Sequence, residues 1–306
     1  MRIFVTGATG FVGSAVVSEL MRADHQVLGL ARSDQGAASL SAAGAEVLRG
    51  SLEDLDSLRS GAAKSDGVIH TAFIHDFLNY AASAEADTRA IETLGKALAG
   101  TGRPFVVTSG TLLLRRQGTL ALEKDESDPN FPRKSEAAGL ALASQGVRVS
   151  VLRLPPSVHG DGDHGFIPRL IAIAREKGAS AYVGDGLNHW PAVHRLDAAR
   201  LYRLALEKGS AGSRYHGVAD QGVLFRDIAR MIGRRLNVPL VSKSPEEAAE
   251  HFGWISHFAS IDCPASSAQT QEELGWRPTH ASLISDIDRP AYFEAATEMT
   301  PVAGGR

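Results

Sequence analysis

Gly7, Gly10 and Gly13 stand in the run Thr6-Gly7-Ala8-Thr9-Gly10-Phe11-Val12-Gly13, directly after the apolar Ile3-Phe4-Val5 and before a helix-forming stretch that begins at Ser14. Glycines at this spacing let a chain leaving a strand turn tightly, approach a phosphate closely and pack the next helix against the sheet. The first turn of that helix then aims unpaired N–H groups at the anion. The run therefore reads as a cradle for the diphosphate of a dinucleotide, with Gly7, Thr9, Gly10, Phe11, Val12 and Gly13 as contacts. Glycines alone are a weak signal; their place at the first strand-to-helix junction makes this one specific.

Roughly twenty residues further on, an NAD-binding site would present an acidic side chain to the adenosine ribose. This sequence reads Leu30-Ala31-Arg32-Ser33 there. The planar donor fork of Arg32 suits a 2′-phosphate, and Ser33 adds a further donor, so NADP(H) is the expected cofactor. NAD stays possible because Asp34 is adjacent and because a strand-end arginine can simply be solvated. Ser51 and Leu52, after the third strand, are expected near the adenine. Thr71, Ala72 and Phe73, after the fourth, are expected toward the ribose and nicotinamide.

These residues need a scaffold that gathers strand ends on one edge. Short β-branched runs at 2–6, 26–31, 45–49, 67–71, 104–109 and 147–153 alternate with helix-forming segments at 13–23, 36–43, 55–62, 84–99 and 135–144. That alternation predicts an α/β fold, a Rossmann-type doubly wound parallel sheet whose carboxyl edge binds the ligand. After Arg153 the rhythm changes, with Pro155-Pro156 and a glycine-rich loop, helices at 167–177, 193–207, 224–236 and 245–252, and a strand at 180–183. Residues 1–154 with a return segment 190–218 are expected to form the cofactor domain. Residues 155–189 and 219–306 are expected to form a smaller substrate lobe, the tail from Thr297 being frayed.

The 32 basic and 35 acidic residues nearly balance, and no basic block offers a nucleic-acid footprint. No apolar run is long enough to cross a bilayer. The first strand follows Met1 directly, leaving no room for a cleavable leader, and the single Cys263 cannot form an internal disulfide. A cytoplasmic protein acting on a small molecule, as a monomer or homodimer, is the expectation.

The ordered pieces T-G-A-T-G-F-V-G at 6–13, V-I-H-T-A at 68–72, V-V-T-S-G-T at 106–111, L-R-L-P-P-S-V-H-G at 152–160, A-V-H-R-L-D-A-A-R at 192–200 and E-L-G-W-R-P at 273–278 resemble one family. It is the short-chain dehydrogenase/reductase superfamily, in its extended NAD-dependent epimerase/dehydratase branch. The resemblance implies that Thr108 and Pro155 also face the cofactor. It further implies a tyrosine four residues before a lysine near the helix preceding the sixth strand, the lysine lowering the phenol's pKa for proton exchange. Aligned on Glu136, those places hold Asp128 and Pro132, and no tyrosine lies between Tyr80 and Tyr182. On this reading the chain is an atypical member without the Tyr/Lys pair.

Other groups must then handle the proton. Ser109 and Thr111 flank Gly110, where the family's hydroxyl donor is expected, and either can hold a carbonyl oxygen or merely satisfy backbone groups at a strand end. His75 and His159 are candidate proton donors, and Tyr80 is a weaker one. The stretch His159-Gly160-Asp161-Gly162-Asp163-His164 has no recognised metal spacing and is expected to be a rim over the substrate rather than a metal site. Trp190 is expected as an apolar wall or a core residue, and Arg115-Arg116 as an anion contact or a solvated pair. Two functions remain open at this point. One is an NADP(H)-dependent oxidoreductase for a small carbonyl or enone-type substrate, with an epimerase disfavoured by the missing base. The other is a non-enzymatic NADP(H)-binding redox sensor.

Overall fold

The computed structural model describes residues 1–76, 79–115 and 119–294. In the first half the strands are β1 (Arg2–Thr6), β2 (Gln26–Ala31), β3 (Glu46–Arg49), β4 (Gly67–His70), β5 (Pro104–Gly110) and β6 (Arg148–Leu154). Between them run α1 (Phe11–Arg22), α2 (Asp34–Ala42), α3 (Leu55–Ala63), α4 (Tyr80–Leu98) and α5 (Ser135–Ala141). The second half adds β7 (Ser157–His159), β8 (Ser180–Val183), β9 (His189–His194), β10 (Arg214–His216), β11 (Asp220–Leu224) and β12 (Leu240–Lys243). Its helices are α6 (Phe166–Lys177), α7 (Arg195–Lys208), α8 (Phe225–Leu236), α9 (Pro245–Phe252), α10 (Ser256–Ser260), α11 (Ala268–Leu274) and α12 (Leu283–Ile287).

Seven parallel strands form the main sheet in the order β10-β6-β5-β4-β1-β2-β3. The order reverses between β1 and β4, which opens a crevice at their carboxyl ends, so the doubly wound Rossmann-type sheet is present. Side chains of β1 explain its central place. Ile3 and Val5 pack with Val16 and Leu20 of α1 and Leu201 of α7, whereas Phe4 packs with Leu58 of α3 and Ile91 of α4. A strand apolar on both faces is stable only between two helical layers.

Strands β7, β9, β11 and β12 and helices α10 to α12 were not expected, and three further departures bear on the main sheet. Strand β10 was not expected, because its three residues Arg-Tyr-His are too short to show a period. Helix α7 starts two residues later than expected: Val193 and His194 pair with Val158 and His159 in β9, and the His194 ring caps the helix by accepting from Leu196 N at 3.3 Å. Finally, Leu274 and Trp276, assigned to the smaller lobe, join the core of the main sheet. The fully buried Trp276 donates from Nε1 to the Asp197 carbonyl at 3.0 Å, which secures it against α7. A second hydrophobic core lies between α6, α8 and α9 around Trp190, Phe225 and Phe252, edged by the sheets β11-β9-β7 and β12-β8.

A buried polar knot ties α5, β6 and β10 together. Arg153 is fully buried, and its Nε and Nη2 donate to both carboxylate oxygens of Glu136 at 2.8 and 2.6 Å. Nη2 and Nη1 also donate to the carbonyls of Asp125 and Glu123, at 2.6 and 3.1 Å. Since a guanidinium only donates, His216 Nε2 accepts from Nη1 at 3.0 Å and Nδ1–H is left to donate to the Ser266 carbonyl at 2.7 Å.

This arrangement sets an acid limit on stability. Burial, reinforced by Arg153, pushes His216 down to about 3, and burial with His159 and His280 pushes His194 down to about 4. Both rings take a proton near 6.5 when unfolded. Stability from them is therefore full above that value and is lost as pH falls through it toward the folded values. Asp163, raised by burial to about 6, opposes them, because the fold holds a proton that the unfolded chain releases. Two groups against one leave a net proton uptake on unfolding. The urea midpoint is expected to fall from about pH 7 to about pH 4.5; a flat or rising midpoint would disprove the assignment.

Candidate functional site

The glycine run folds as a cradle at the crevice. Gly7 adopts φ +68°, and a Cβ there would lie 2.6 Å from the Ala72 nitrogen. A Cβ on Gly13 would lie 2.0 Å from the Gly7 carbonyl oxygen and 2.9 Å from Thr71 Oγ1, so α1 can approach β1 this closely only through glycine. Gly10 N closes the turn on the Gly7 carbonyl at 2.9 Å. Thr71 Oγ1 donates to the Thr6 carbonyl at 2.8 Å, holding β4 against it. Helix α1 has neither a side-chain cap nor an acidic residue in its first turn, which leaves the N–H groups beyond Gly10 to an incoming anion. These features fit a dinucleotide diphosphate.

On the β2–β3 side of the cradle, Arg32 and Ser33 follow β2 and Ser51 and Leu52 follow β3. Ser33 caps α2, accepting from Gly36 N at 3.1 Å, and Ser51 accepts from Asp54 N at 3.2 Å. Leu52 is buried. Arg32, Arg49, Gly50, Ser51 and Asp54 line an open groove of about 360 Å³. Arg49 is the residue that the sequence reading missed. Registered opposite Ala31, it enters the same groove as Arg32 and pairs with Asp34 at 2.8 Å, so the acid that kept NAD open is engaged by a guanidinium. The only advance signal was its place at the end of β3.

At the other end, residues from β4, β5 and the approach to α5 converge. Phe73 packs edge-on to His75 at 5.3 Å and near Tyr80 at 5.8 Å, and Tyr80 meets Phe131 at 6.0 Å. Arg133 lies over the Phe73 ring at 4.1 Å and donates to Ser135 Oγ at 2.7 Å and to the Thr108 carbonyl at 3.1 Å. It was also missed, because alignment on Glu136 directs attention to Pro132. Asp128 instead heads a turn, its Oδ1 accepting from Asn130 N at 2.9 Å.

Behind Arg133 a buried chain runs inward. Ser135 donates to Asp87, whose other oxygen lies 3.1 Å from His70 Nε2, while His70 Nδ1 lies 2.7 Å from Thr6 Oγ1. Burial alone would raise the Asp87 carboxyl, but His70, Arg133 and the Ser135 hydroxyl outweigh it and hold the group below the usual carboxylate range.

The expected hydroxyls occupy different roles. Thr108 Oγ1 donates to the His70 carbonyl at 2.6 Å and so accepts from Tyr202 at 2.7 Å; its side chain is committed to the interior. Ser109 and Thr111 are buried, and neither hydroxyl has a hydrogen-bond partner among the described residues. Pro155, after β6, is buried too. His75 is exposed beside Phe73, yet the packing around it, Arg133 and His164 all lower its pKa below the ordinary histidine value.

The two candidate histidines are not brought together. His159 is fully buried on β7, with Nδ1 2.8 Å from Asp286 Oδ2 and its ring edge-on to His194 at 5.4 Å. The loop after it does reach the cradle, through His164 against Phe11 at 5.6 Å. No three histidine, cysteine or acidic side chains converge on a metal position among the described residues. Trp190 is a core residue, donating to the Phe258 carbonyl at 3.2 Å. Arg115 is exposed, Arg116 lies outside the described residues, and no described helix is long and apolar enough to cross a membrane.

Comparison with known proteins agrees with this geometry. The profile described as the NAD dependent epimerase/dehydratase family matches residues 3–110. An uncharacterized protein of Schizosaccharomyces pombe is 55% identical over 96% of this chain and 100% of its own length. A 4-hydroxy-2-methyl-3-oxo-4-farnesyl-3,4-dihydroquinoline-1-oxide ketoreductase of Stigmatella aurantiaca is 28% identical, covering 83% of this chain and 80% of that protein. Among solved structures, a dTDP-glucose 4,6-dehydratase of Streptomyces venezuelae with bound NAD superposes with a TM-score of 0.77 at 22% identity, covering 96% and 98% of the two chains. Over residues 3–110 the chain is similar to the NAD dependent epimerase/dehydratase family, and along nearly its whole length it belongs to one family with the uncharacterized Schizosaccharomyces pombe protein.

Proposed function

We propose that this chain is an NADP(H)-dependent oxidoreductase that acts on a small carbonyl or enone-type substrate and uses a proton donor other than the family's tyrosine. The observation that carries the reading is the pair of guanidinium groups, Arg32 and Arg49, in one groove beyond the glycine cradle. A dianionic 2′-phosphate matches the fork of Arg32 and would draw Arg49 away from the exposed Asp34 carboxylate, whereas a ribose hydroxyl gains little from either. The ketoreductase among the relatives is consistent with carbonyl chemistry.

The bound cofactor would supply or accept a hydride. Around it, Ser109 and Thr111 offer unspent hydroxyls to a carbonyl oxygen, and Arg133, bonded to the neighbouring Thr108 carbonyl, adds positive charge where that oxygen becomes negative. His75 or a water beside it delivers the proton. With a pKa below the ordinary value, His75 is protonated only in the acid range, so reduction through it slows as pH rises.

A second reading, a redox sensor that binds NADP(H) without turnover, is favoured by Asp128 and Pro132 at the places of the tyrosine and lysine. Incubation with NADPH deuterated at C4 and a panel of ketones, aldehydes and enones separates the two. Deuterium in a reduced product, formed faster at lower pH, is the expected result. Tight NADPH binding without label in any product would overturn the enzyme reading in favour of the sensor.

A further inference from the structure

Arg195, the first residue of α7, reaches across to the first turn of α1. Its guanidinium lies 4.7 Å from the Phe11 ring centroid, and Nη2 donates to Ser14 Oγ at 2.9 Å. Nη1 donates to the backbone carbonyl of Asp161 at 2.7 Å, and Nε is buried without a hydrogen-bond partner. Among the described residues no carboxylate pairs with it: the Asp161 side chain is taken by Arg289 at 2.8 Å. Burial lowers the Arg195 pKa, with the Asp161 charge opposing. A partly buried cation without an ion-pair partner is costly unless an anion completes it. Its neighbours on α1 are the residues whose backbone opens toward the cradle.

We propose that Arg195 is a cofactor-binding residue that meets the dinucleotide diphosphate and, through the Asp161 carbonyl, couples its binding to the loop of residues 160–165. The inference rests on the cofactor reading above. The neutral donors of α1 supply hydrogen bonds and a partial positive charge; Arg195, held against Phe11 and Ser14, supplies a full charge beside them. The same guanidinium ties that loop, which also touches Phe11 through His164, to the bound cofactor. The substrate lobe thereby receives a signal that the cofactor is in place.

The test compares dissociation constants of NADPH, NADH and adenosine 2′-monophosphate, the last lacking the diphosphate, for wild type, Arg195→Gln and Arg49→Gln. Arg195→Gln is expected to weaken NADPH and NADH by the same factor, about 10- to 100-fold, and to leave adenosine 2′-monophosphate unchanged. Arg49→Gln is expected to weaken NADPH and adenosine 2′-monophosphate and to spare NADH. In hydrogen exchange, NADPH is expected to protect the amides of 160–165 in wild type but not in Arg195→Gln. Unchanged NADPH binding in Arg195→Gln, or an equal loss for the diphosphate-free ligand, would overturn the proposal. If wild type binds only NADH, the NADP(H) preference fails while the Arg195 effect is still read from NADH; if it binds neither dinucleotide, both fall.

Discussion

Gly13→Ala is expected to weaken NADPH binding by more than about 100-fold. The added methyl would sit 2.0 Å from the Gly7 carbonyl oxygen, and that oxygen belongs to a backbone turn that cannot swing aside. Relief requires α1 to withdraw from β1 by about 1 Å, which takes the N–H groups of its first turn out of register with the phosphates; misplacement of that size is enough for a loss of this order. Stability should fall as well, by about 1–3 kcal/mol or more, as for other overpacked sites. Gly100→Ala is the control: it too has a positive φ, +70°, but nothing lies within 4 Å of its added Cβ, so it should lose some stability and no affinity. Fluorescence titration with NADPH and urea unfolding check both variants. Affinity in Gly13→Ala equal to that of Gly100→Ala would refute the close-approach argument.

Removing the carboxylate of the buried knot should cost the most stability. Glu136 accepts from Arg153 through both oxygens and from Arg214 Nε at 2.8 Å. In Glu136→Ala the Arg153 charge stays in the interior with only carbonyls and a neutral His216 as hydrogen-bond partners, and Arg214, which shared the lost carboxylate, stands beside it as a second unpaired cation. Breaking one side of such a pair typically costs about 3–5 kcal/mol, a large part of a domain's roughly 5–15 kcal/mol. The double variant Glu136→Leu with Arg153→Met removes both charges and should recover much of the loss, because the expensive species is the unpaired buried ion. Urea unfolding of the two singles and the double gives the coupling directly. A loss below about 1 kcal/mol in Glu136→Ala would show that water reaches Arg153 and that the knot is not sealed.

Much of the scaffold was legible in the sequence because its signals are local. The apolar run of β1 needs two covered faces, Gly7 needs a positive φ, and Gly13 needs the absence of a Cβ; each is a property of a few adjacent residues. The six strands expected in the first half, the glycine turn and the strand-end position of Arg32 all follow from such properties. Strand β10 escaped because three residues carry no period, and Leu274 with Trp276 escaped because nothing near them in the chain says which helix they cover.

The candidate site was less legible, and Arg49, Arg133 and Arg195 show why. Arg49 matters because β3 lies beside β2, Arg133 because the approach to α5 passes over Phe73, and Arg195 because α7 packs on α1. His75 and His159 looked equivalent as sequence, but the structure exposes one beside Arg133 and encloses the other with Asp286. By itself, then, the sequence determined the alternation of strands and helices and the tight glycine turn at the first strand-to-helix junction, since periodicity and backbone sterics act between neighbours in the chain. Only the tertiary structure decided which charges surround that cradle, since charges act through space and their effect depends on what folding brings beside them.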